Sequence, residues 1–291
     1  MYELQSKDEK IMPKVSVLMP VYKTKEAYLR EAIESILNQS FTDFEFLILD
    51  DCPEDNREEI VKSYHDARIK YSKNEHNLGI TPSRNKLIGM AKGEYLAVFD
   101  HDDISLPERL EKEVAYLDAH PEVGVVSSSI EKFPKIKVSN PPQRNLDIKM
   151  GLMRGCIVAH TTAMIRKSVL ESFGIRYEEE YSPAEDYMLF LRLVGKTMFY
   201  NIPEVLVRYR NFEGNTSHIQ KEKMDDAGAR CQCFAAREYP HLYSKVNFLG
   251  GNRRIWLDLF NIIPFIQLNV TPKGFKIRLF GLIPLFSIRG K

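Results

Sequence analysis

Short apolar runs alternate with amphipathic segments along the first hundred residues of the chain. Residues 15–22 (VSVLMPVY), 44–49 and 95–99 are apolar runs of the length typical of strands buried on both faces. Residues 25–38 and 81–91 lie between these runs, and their apolar positions follow the spacing of a helix. This alternation predicts an α/β fold in which a mostly parallel central sheet is flanked by helices.

The same pattern continues with weaker signals. Residues 55–64 predict a polar helix, 68–71 a short strand and 123–127 another buried strand. Residues 105–122 have a helical period and a proline near the first turn. Residues 132–145 are rich in proline and basic residues, so we expect a loop there on the active face.

Composition and charge narrow the class of protein. The chain has 291 residues, 44% of them hydrophobic, and a formal net charge of +1. It is therefore not a disordered chain, and it lacks the basic excess of a nucleic-acid-binding protein. The charge is uneven, however. Residues 250–291 hold seven basic residues and one acid, a charge of +6, whereas the preceding residues carry −5.

Cysteine usage and the N-terminal segment bear on the compartment. The four cysteines, Cys52, Cys156, Cys231 and Cys233, are too few for a disulfide framework and indicate free thiols in a reducing cytosol. The first 14 residues have no apolar signal core, and no uninterrupted apolar run approaches the roughly 20 residues of a membrane span. We therefore expect a cytoplasmic location.

Acidic residues follow two of the predicted strands. Asp50 and Asp51 end one strand, while Asp100, Asp102 and Asp103 follow another. Ligands of parallel sheets bind beyond the carboxyl ends of the strands, where Mg²⁺ or Mn²⁺ could bridge carboxylates and substrate phosphates. The alternative is that these acids only cap the following turns, an interpretation stronger for Asp50 and Asp51 than for the second cluster.

A third acidic element, Glu185 and Asp186, begins an apolar helix in the sequence SPAEDYMLFLRL. An acid at this position is favoured by the helix dipole alone. A carboxylate facing the other acids could instead act as a general base. The local pattern leaves both interpretations open and favours the first.

Taken in order, several motifs resemble those of the family 2 glycosyltransferases. They are MPVYK, LILDDCPED, NLGITPSRN, AKGEYLAVFDHDD and SPAEDYMLFLRL, within residues 15–217. The resemblance implies a GT-A fold, with a catalytic domain over residues 1–217 and a helical, basic and apolar extension over 218–291. The nucleotide-sugar half of that domain would span about 14–104, and the acceptor half 105–217.

The resemblance also implies roles for single residues of the donor site. Pro20 and Tyr22 would line the nucleotide pocket, and Asp51 would accept a hydrogen bond from uracil. Arg84 would lie near the base, and Asp100 would contact the ribose. The donor implied is a UDP-sugar.

Three further residues would carry the chemistry. Asp102 would bind a divalent metal, Mn²⁺ or Mg²⁺, that bridges the diphosphate. Asp186 would be the general base, supported by Glu185. The resemblance implies a single displacement that inverts the anomeric configuration.

Two histidines are weaker candidates. The family often has Arg-X-His after the base helix, whereas this chain reads Arg210-Asn211-Phe212. His218 could replace the missing histidine as a ligand of the metal or diphosphate, or be an ordinary surface histidine. His160 lies in a segment that often lines the acceptor side, and we treat it as a binding candidate.

Together these observations predict an inverting, metal-dependent transferase that moves a hexose or N-acetylhexosamine from a UDP-sugar. The acceptor would be a lipid-linked, lipopolysaccharide or capsule glycan. One alternative is an inactive, transferase-like scaffold at the membrane, against which the presence of Asp102 and Asp186 argues. Another is a sugar nucleotidyltransferase, but the glycine-rich basic signature of that class is absent near the N-terminus.

The basic tail admits two interpretations. Residues 255–291 alternate apolar clusters with lysine and arginine. The segment either packs on the catalytic domain or lies at an anionic membrane surface, as amphipathic basic segments do. We favour the second, which would make the protein peripheral on the inner face of the cytoplasmic membrane.

Overall fold

A computed structural model describes residues 12–55, 57–249, 253–257, 266–271, 274–279 and 286–289. Strands and helices alternate along the first 120 residues, as the sequence predicts. The strands of the central sheet are β1 (Val15–Val21), β2 (Phe44–Asp50), β3 (Ile69–Lys73), β4 (Tyr95–Val98), β5 (Ile104–Ser105), β6 (Val123–Phe133), β7 (Lys137–Val138), β8 (Met164–Arg166) and β9 (Met198–Arg210). The helices are α1 (Glu26–Leu37), α2 (Arg57–Lys62), α3 (Ile80–Met90), α4 (Arg109–Ala119), α5 (Asn145–Leu152), α6 (Lys167–Ser172), α7 (Glu185–Leu193), α8 (Thr216–Ile219), α9 (Lys221–Glu238) and α10 (Pro240–Leu249).

The central sheet is mostly parallel in its first half. Its strand order is β3-β2-β1-β4-β8-β6-β9-β5, with β7 paired to the outer part of β6. Strands β1 to β4 are parallel to one another, β8 is antiparallel to β4 and β6, and β9 is parallel to β6. Because β1, β2 and β4 run in the same direction, their carboxyl ends meet at one edge of the sheet.

Helices cover both faces of this sheet. Leu18, Leu47 and Leu49 belong to a core that includes α3, α5, α7 and α9. Val17 and Met19, the neighbours of Leu18 in β1, belong to a second core on the other face, which includes α1, α2 and α4. The alternation follows from the two-residue period of a strand, and it explains why these strands are apolar throughout.

Strand β6 is longer than the sequence pattern predicts. The continuous apolar run ends at Val126, but the strand continues through Ser127, Ser128 and Ser129 to Phe133. These serines are buried, and the hydroxyl of Ser127 lies 2.7 Å from the Oγ1 atom of Thr162. Polar residues can continue a buried strand where a partner satisfies them, so the predicted loop over 132–145 instead contains the end of β6, the strand β7 and the start of α5.

The predicted helical extension is helical only in its first part. Helices α8, α9 and α10 end at Leu249, and four antiparallel strands follow: β10 (Arg253–Leu257), β11 (Ile266–Thr271), β12 (Gly274–Leu279) and β13 (Phe286–Arg289). The segments IQLNVT and GFKIRL alternate apolar and polar residues with a period of two, which favours strands over helices. Across the described residues, no helix is both long and apolar enough to span a bilayer.

Candidate active site

The carboxyl edge of β1, β2 and β4 gathers most of the predicted donor-site residues. Pro20 is the penultimate residue of β1, the exposed Tyr22 follows that strand, and the Pro20 carbonyl oxygen lies 3.1 Å from Nδ1 of His101. That hydrogen bond ties the end of β1 to the turn after β4. The acids that follow β2 and β4 therefore lie on the same edge, as the parallel pairing requires.

Asp51 is buried and organises the segment that follows β3. Its Oδ1 atom accepts hydrogen bonds from Asn74 Nδ2 and from the backbone N–H of Leu78, both at 2.8 Å. Its Oδ2 atom accepts one from the N–H of Gly79, also at 2.8 Å. Gly79 has a φ angle of 89°, a left-handed conformation that favours glycine. A carboxylate has about four acceptor positions, so Asp51 keeps capacity for one further donor.

The turn after β4 holds three acids in different surroundings. Asp100 and Asp102 are partly exposed, whereas Asp103 is fully buried. Burial raises the pKa of Asp102, and the charge of Asp100 raises it further against the opposing effect of His101. Asp103 accepts a hydrogen bond of 2.8 Å from the backbone N–H of Arg210, the last residue of β9. Asp103 is thus held by the backbone of β9, while Asp100 and Asp102 stay partly exposed.

Arg84 connects the turn after β4 to the start of α7. Its Nη1 atom donates to Oε1 of Glu185 at 2.5 Å, and its Nη2 atom donates to Oδ1 of Asp100 at 3.3 Å. The guanidinium also lies 5.6 Å from the ring centroid of Tyr177. The Arg84 and Glu185 side chains are 11% and 4% exposed, so this ion pair is largely shielded from solvent.

Asp186 begins α7 beside Glu185 and is only partly buried. Its Oδ1 atom accepts a hydrogen bond of 2.6 Å from the backbone N–H of Tyr187, while Oδ2 has the thiol of Cys156 at 4.0 Å. Burial raises the pKa of Asp186 to about 6, the charge of Glu185 adds to the rise, and Arg84 opposes it. A carboxylate with this pKa is ionised at neutral pH and can accept a proton.

The two histidine candidates have different surroundings. His160 is buried and its Nε2 atom lies 2.8 Å from the hydroxyl of Tyr177, which places it behind Arg84. Burial lowers the pKa of His160 well below its usual value, so it is neutral. His218 is exposed and its Nε2 atom lies 3.0 Å from Oδ1 of Asn211.

A preformed metal cage is absent from the described part of the chain, where no three His, Cys, Asp or Glu side chains are grouped to hold an ion. Mg²⁺ and Mn²⁺ sites in nucleotide enzymes commonly use one or two carboxylates together with substrate phosphates. The partly exposed Asp102, two residues from Asp100, fits that kind of site. His218 bonds to Asn211 in the structure, and its role as a ligand stays a prediction.

Several contacts of the site involve residues that the sequence pattern does not single out. Asn74 holds Asp51, Cys156 lies beside Asp186, and Arg210 binds the turn after β4 through its Nε atom and the carbonyl oxygen of Asp102 at 2.7 Å. Each joins residues distant in sequence, and no local pattern marks them. Of these residues, Arg210 could have been found from the sequence, because it occupies the place of the arginine in the family's Arg-X-His.

The chain belongs to glycosyl transferase family 2, whose model matches residues 16–174. An uncharacterized glycosyltransferase of Methanocaldococcus jannaschii is 35% identical over 223 residues, covering 73% of this chain and 76% of the relative. WcaA of Escherichia coli, whose name assigns it to colanic acid biosynthesis, is 30% identical over 198 residues, covering 62% of this chain and 66% of the relative.

A solved structure of similar fold is that of Staphylococcus aureus TarS in complex with UDP-GlcNAc. It is 22% identical to this chain with a TM-score of 0.66, and the match covers 81% of this chain and 72% of that one. This likeness confirms the predicted α/β fold of GT-A type. With the family match, it makes the protein a glycosyltransferase that uses a nucleotide-sugar donor.

Proposed function

We propose that this protein transfers a hexose or N-acetylhexosamine from a UDP-sugar to a hydroxyl group of a lipid-linked, lipopolysaccharide or capsule glycan. The observation that carries the proposal is the Arg84 bridge, which joins Asp100 on the nucleotide side to Glu185 next to Asp186. The bridge supports a site in which the candidate base and the candidate donor ligands act together. WcaA, named for colanic acid biosynthesis, supports a surface glycan as the acceptor.

Different residues would bind the uracil, the ribose and the diphosphate of the donor. Asp51 retains one acceptor position for the ring N–H of uracil, beside Pro20 and Tyr22. Asp100, held by Arg84, is available to a ribose hydroxyl. Asp102 would hold the divalent metal, which neutralises charge on the departing diphosphate when bound.

Proton transfer is assigned to Asp186. Its Oδ1 atom is engaged by the N–H of Tyr187, so Oδ2 is the oxygen that takes the proton from the acceptor hydroxyl. The hydroxyl then attacks the anomeric carbon from the side opposite the diphosphate, and the configuration inverts. Glu185 contributes by anchoring the start of α7 to Arg84 rather than by accepting the proton.

Release of nucleoside diphosphate tests the proposal. The enzyme is incubated with UDP-glucose, UDP-galactose, UDP-GlcNAc, UDP-GalNAc and GDP-mannose, with and without Mn²⁺ or Mg²⁺. We expect UDP release from one or two UDP-sugars, strongly reduced in Asp102→Ala and Asp186→Ala. A wild type as inactive as both variants on every donor would contradict the transferase proposal and favour an inactive scaffold.

A location at the inner face of the cytoplasmic membrane is the second part of the proposal. A lipid-linked acceptor is confined to the membrane, so the enzyme must reach the headgroup region. The basic residues of 250–291 would hold it there by attraction to anionic lipid. The side chains of this tail lie outside the described residues, and its role rests on the sequence.

A further inference from the structure

The end of β6 and the strand β7 form a small hairpin, residues 132–138, that exposes apolar side chains. Ile136 is 74% exposed and Val138 is 54% exposed. Ile136 lies in the turn that precedes β7, and Val138 is the second residue of that strand. Two branched apolar side chains at one tip form a small surface that water solvates poorly.

The same hairpin carries three lysines, of which Lys132 has its Nζ atom 5.6 Å from the ring centroid of Tyr209. Lys132 lies directly opposite Lys137 in the β6–β7 ladder, and Lys135 lies in the turn. No carboxylate within the described residues forms an ion pair with any of the three, although Glu213 lines the same cavity as Lys135. The nearby Glu131 is engaged by Arg208 at 2.9 Å. Like charges directly opposite each other are destabilising, so the hairpin favours an anionic partner.

The hairpin adjoins the proposed diphosphate end of the active site. Phe133 pairs with Arg210 in the β6–β9 ladder, and the Arg210 guanidinium lies 4.6 Å from its ring centroid. Arg210 also donates to the carbonyl oxygen of Asp102. A cavity of about 330 Å³ lies between Lys135 and Ile219, which is itself 69% exposed.

We propose that residues 132–138 dock the enzyme on an anionic lipid surface, with Ile136 and Val138 entering the interface and the lysines contacting lipid headgroups. Apolar side chains flanked by lysine have the composition of interfacial membrane anchors. The docking is independent of the sugar transferred. Its use, to bring a membrane-bound acceptor to Asp186, rests on the proposed function.

Binding of the full-length chain to vesicles tests the charged part. Vesicles of phosphatidylcholine alone are compared with vesicles containing phosphatidylglycerol, using flotation. We expect Lys135→Glu/Lys137→Glu to raise the Kd for the anionic vesicles at least about tenfold, since each lysine near such a surface contributes roughly fivefold. The matched control is Lys62→Glu/Lys70→Glu, two exposed lysines on α2 and β3, which should bind as the wild type does.

A fluorescence measurement tests the apolar part separately from the tail. In Ile136→Trp, the emission in excess of wild type reports on position 136. We expect it to shift to shorter wavelength with anionic vesicles, while Leu146→Trp, an exposed position on α5, shows no shift. An unshifted emission, or a charge-reversal variant that binds within about threefold of wild type, would overturn the proposal.

UDP release without vesicles keeps this inference distinct from the proposed function. We expect the hairpin variants to match wild type in that assay, because among the described residues no hydrogen bond or ion pair joins 135–138 to Arg84, Asp102 or Asp186. Vesicle binding with no UDP release from any donor would support docking while contradicting the transferase. UDP release, together with vesicle binding that the hairpin substitutions leave unchanged, would support the transferase and contradict docking.

Discussion

Asp186 illustrates how two oxygens of one carboxylate acquire different roles. The backbone N–H of Tyr187 occupies Oδ1, while Oδ2 faces the exposed Cys156 at the long distance of 4.0 Å. The first-turn position on α7 could serve the helix dipole alone, and the sequence favours that interpretation. Burial with Glu185 alongside raises the pKa of Asp186 to about 6, and this surrounding makes a proton-accepting role chemically reasonable.

The first prediction concerns the pH dependence of transfer. A base must be deprotonated, so kcat/KM should rise with pH through about 6 and level off above it. Asp186→Asn should lower kcat about 10²- to 10⁴-fold, the usual contribution of a general base. The matched control is Asp147→Asn, which changes an exposed acid in the first turn of α5. A profile without an acid limb would remove Asp186 from the base role.

The second prediction concerns Arg84. Its positive charge lowers the pKa of Asp186 and compensates the buried Glu185. In Arg84→Met the pKa of Asp186 should therefore increase, moving the acid limb of the kcat/KM profile to higher pH. Arg84→Lys retains the charge and should move the limb less.

The measurement is again the pH profile, with thermal unfolding to confirm that the variants are folded. Equal losses at every pH, with an unmoved limb, would mean that Arg84 acts on the donor alone.

At the scale of elements, helix α4 contains a fully buried ion pair whose arginine also binds β4. Arg109 and Glu113 are both 0% exposed, with Nε and Oε1 3.2 Å apart, and Arg109 Nη2 donates to the carbonyl oxygen of Val98 at 2.9 Å. Burial raises the pKa of Glu113 to about 7 even though Arg109 opposes the rise. Arg109 therefore holds α4 against the strand that leads into the acids of the site, and Glu113 compensates its buried charge.

The third prediction tests this pair. Arg109→Met leaves Glu113 buried without its partner and should lower the free energy of unfolding by about 3–5 kcal/mol. The loss should be larger at pH 8 than at pH 5, because the ionised carboxylate is the form that burial disfavours. Urea denaturation measures it.

A surface pair provides the comparison. Lys62 and Glu58 on α2 are also four residues apart but exposed, so Lys62→Met should cost less than about 1 kcal/mol. Similar losses for the two variants would show that burial does not set the cost.

At the scale of the whole molecule, the proposed catalytic residues and the proposed membrane contacts lie in different parts of the chain. The acids lie at the carboxyl edge of the sheet, the proposed docking hairpin lies at the end of β6, and the basic tail begins near residue 250. A peripheral enzyme needs more than one weak membrane contact, because single contacts of this kind are marginal. The hairpin and the tail would act together in that way.

The fourth prediction removes part of the tail. Deleting residues 271–291 eliminates five basic residues and should weaken binding to phosphatidylglycerol vesicles while leaving UDP affinity unchanged. Flotation measures the first quantity and calorimetric titration with UDP the second. Unchanged vesicle binding would mean that these residues do not contact the membrane.

The sequence alone determined the alternation of strands and helices, the parallel first half of the sheet and the acids at its edge. These features follow from local periodicity and from the direction of each strand. Strand β6 beyond Ser127 was not predicted, because Ser128 and Ser129, whose hydroxyls bind backbone carbonyl oxygens, interrupt the apolar pattern. The sequence of the tail strands β11 and β12 alternates apolar and polar residues with a period of two, so these strands were predictable, and the prediction of a helical extension was wrong for them.

Only the tertiary structure decided which side chains of the site meet. Arg84 and Glu185 are 101 residues apart, and Cys156 and Asp186 are 30 apart. Arg210 reaches the turn after β4 because β9 enters the sheet between β6 and β5. Such contacts depend on strand order and on helix packing across the sheet. Local sequence indicates only how one segment is surrounded. A site whose residues come from several distant segments therefore forms only in the folded chain.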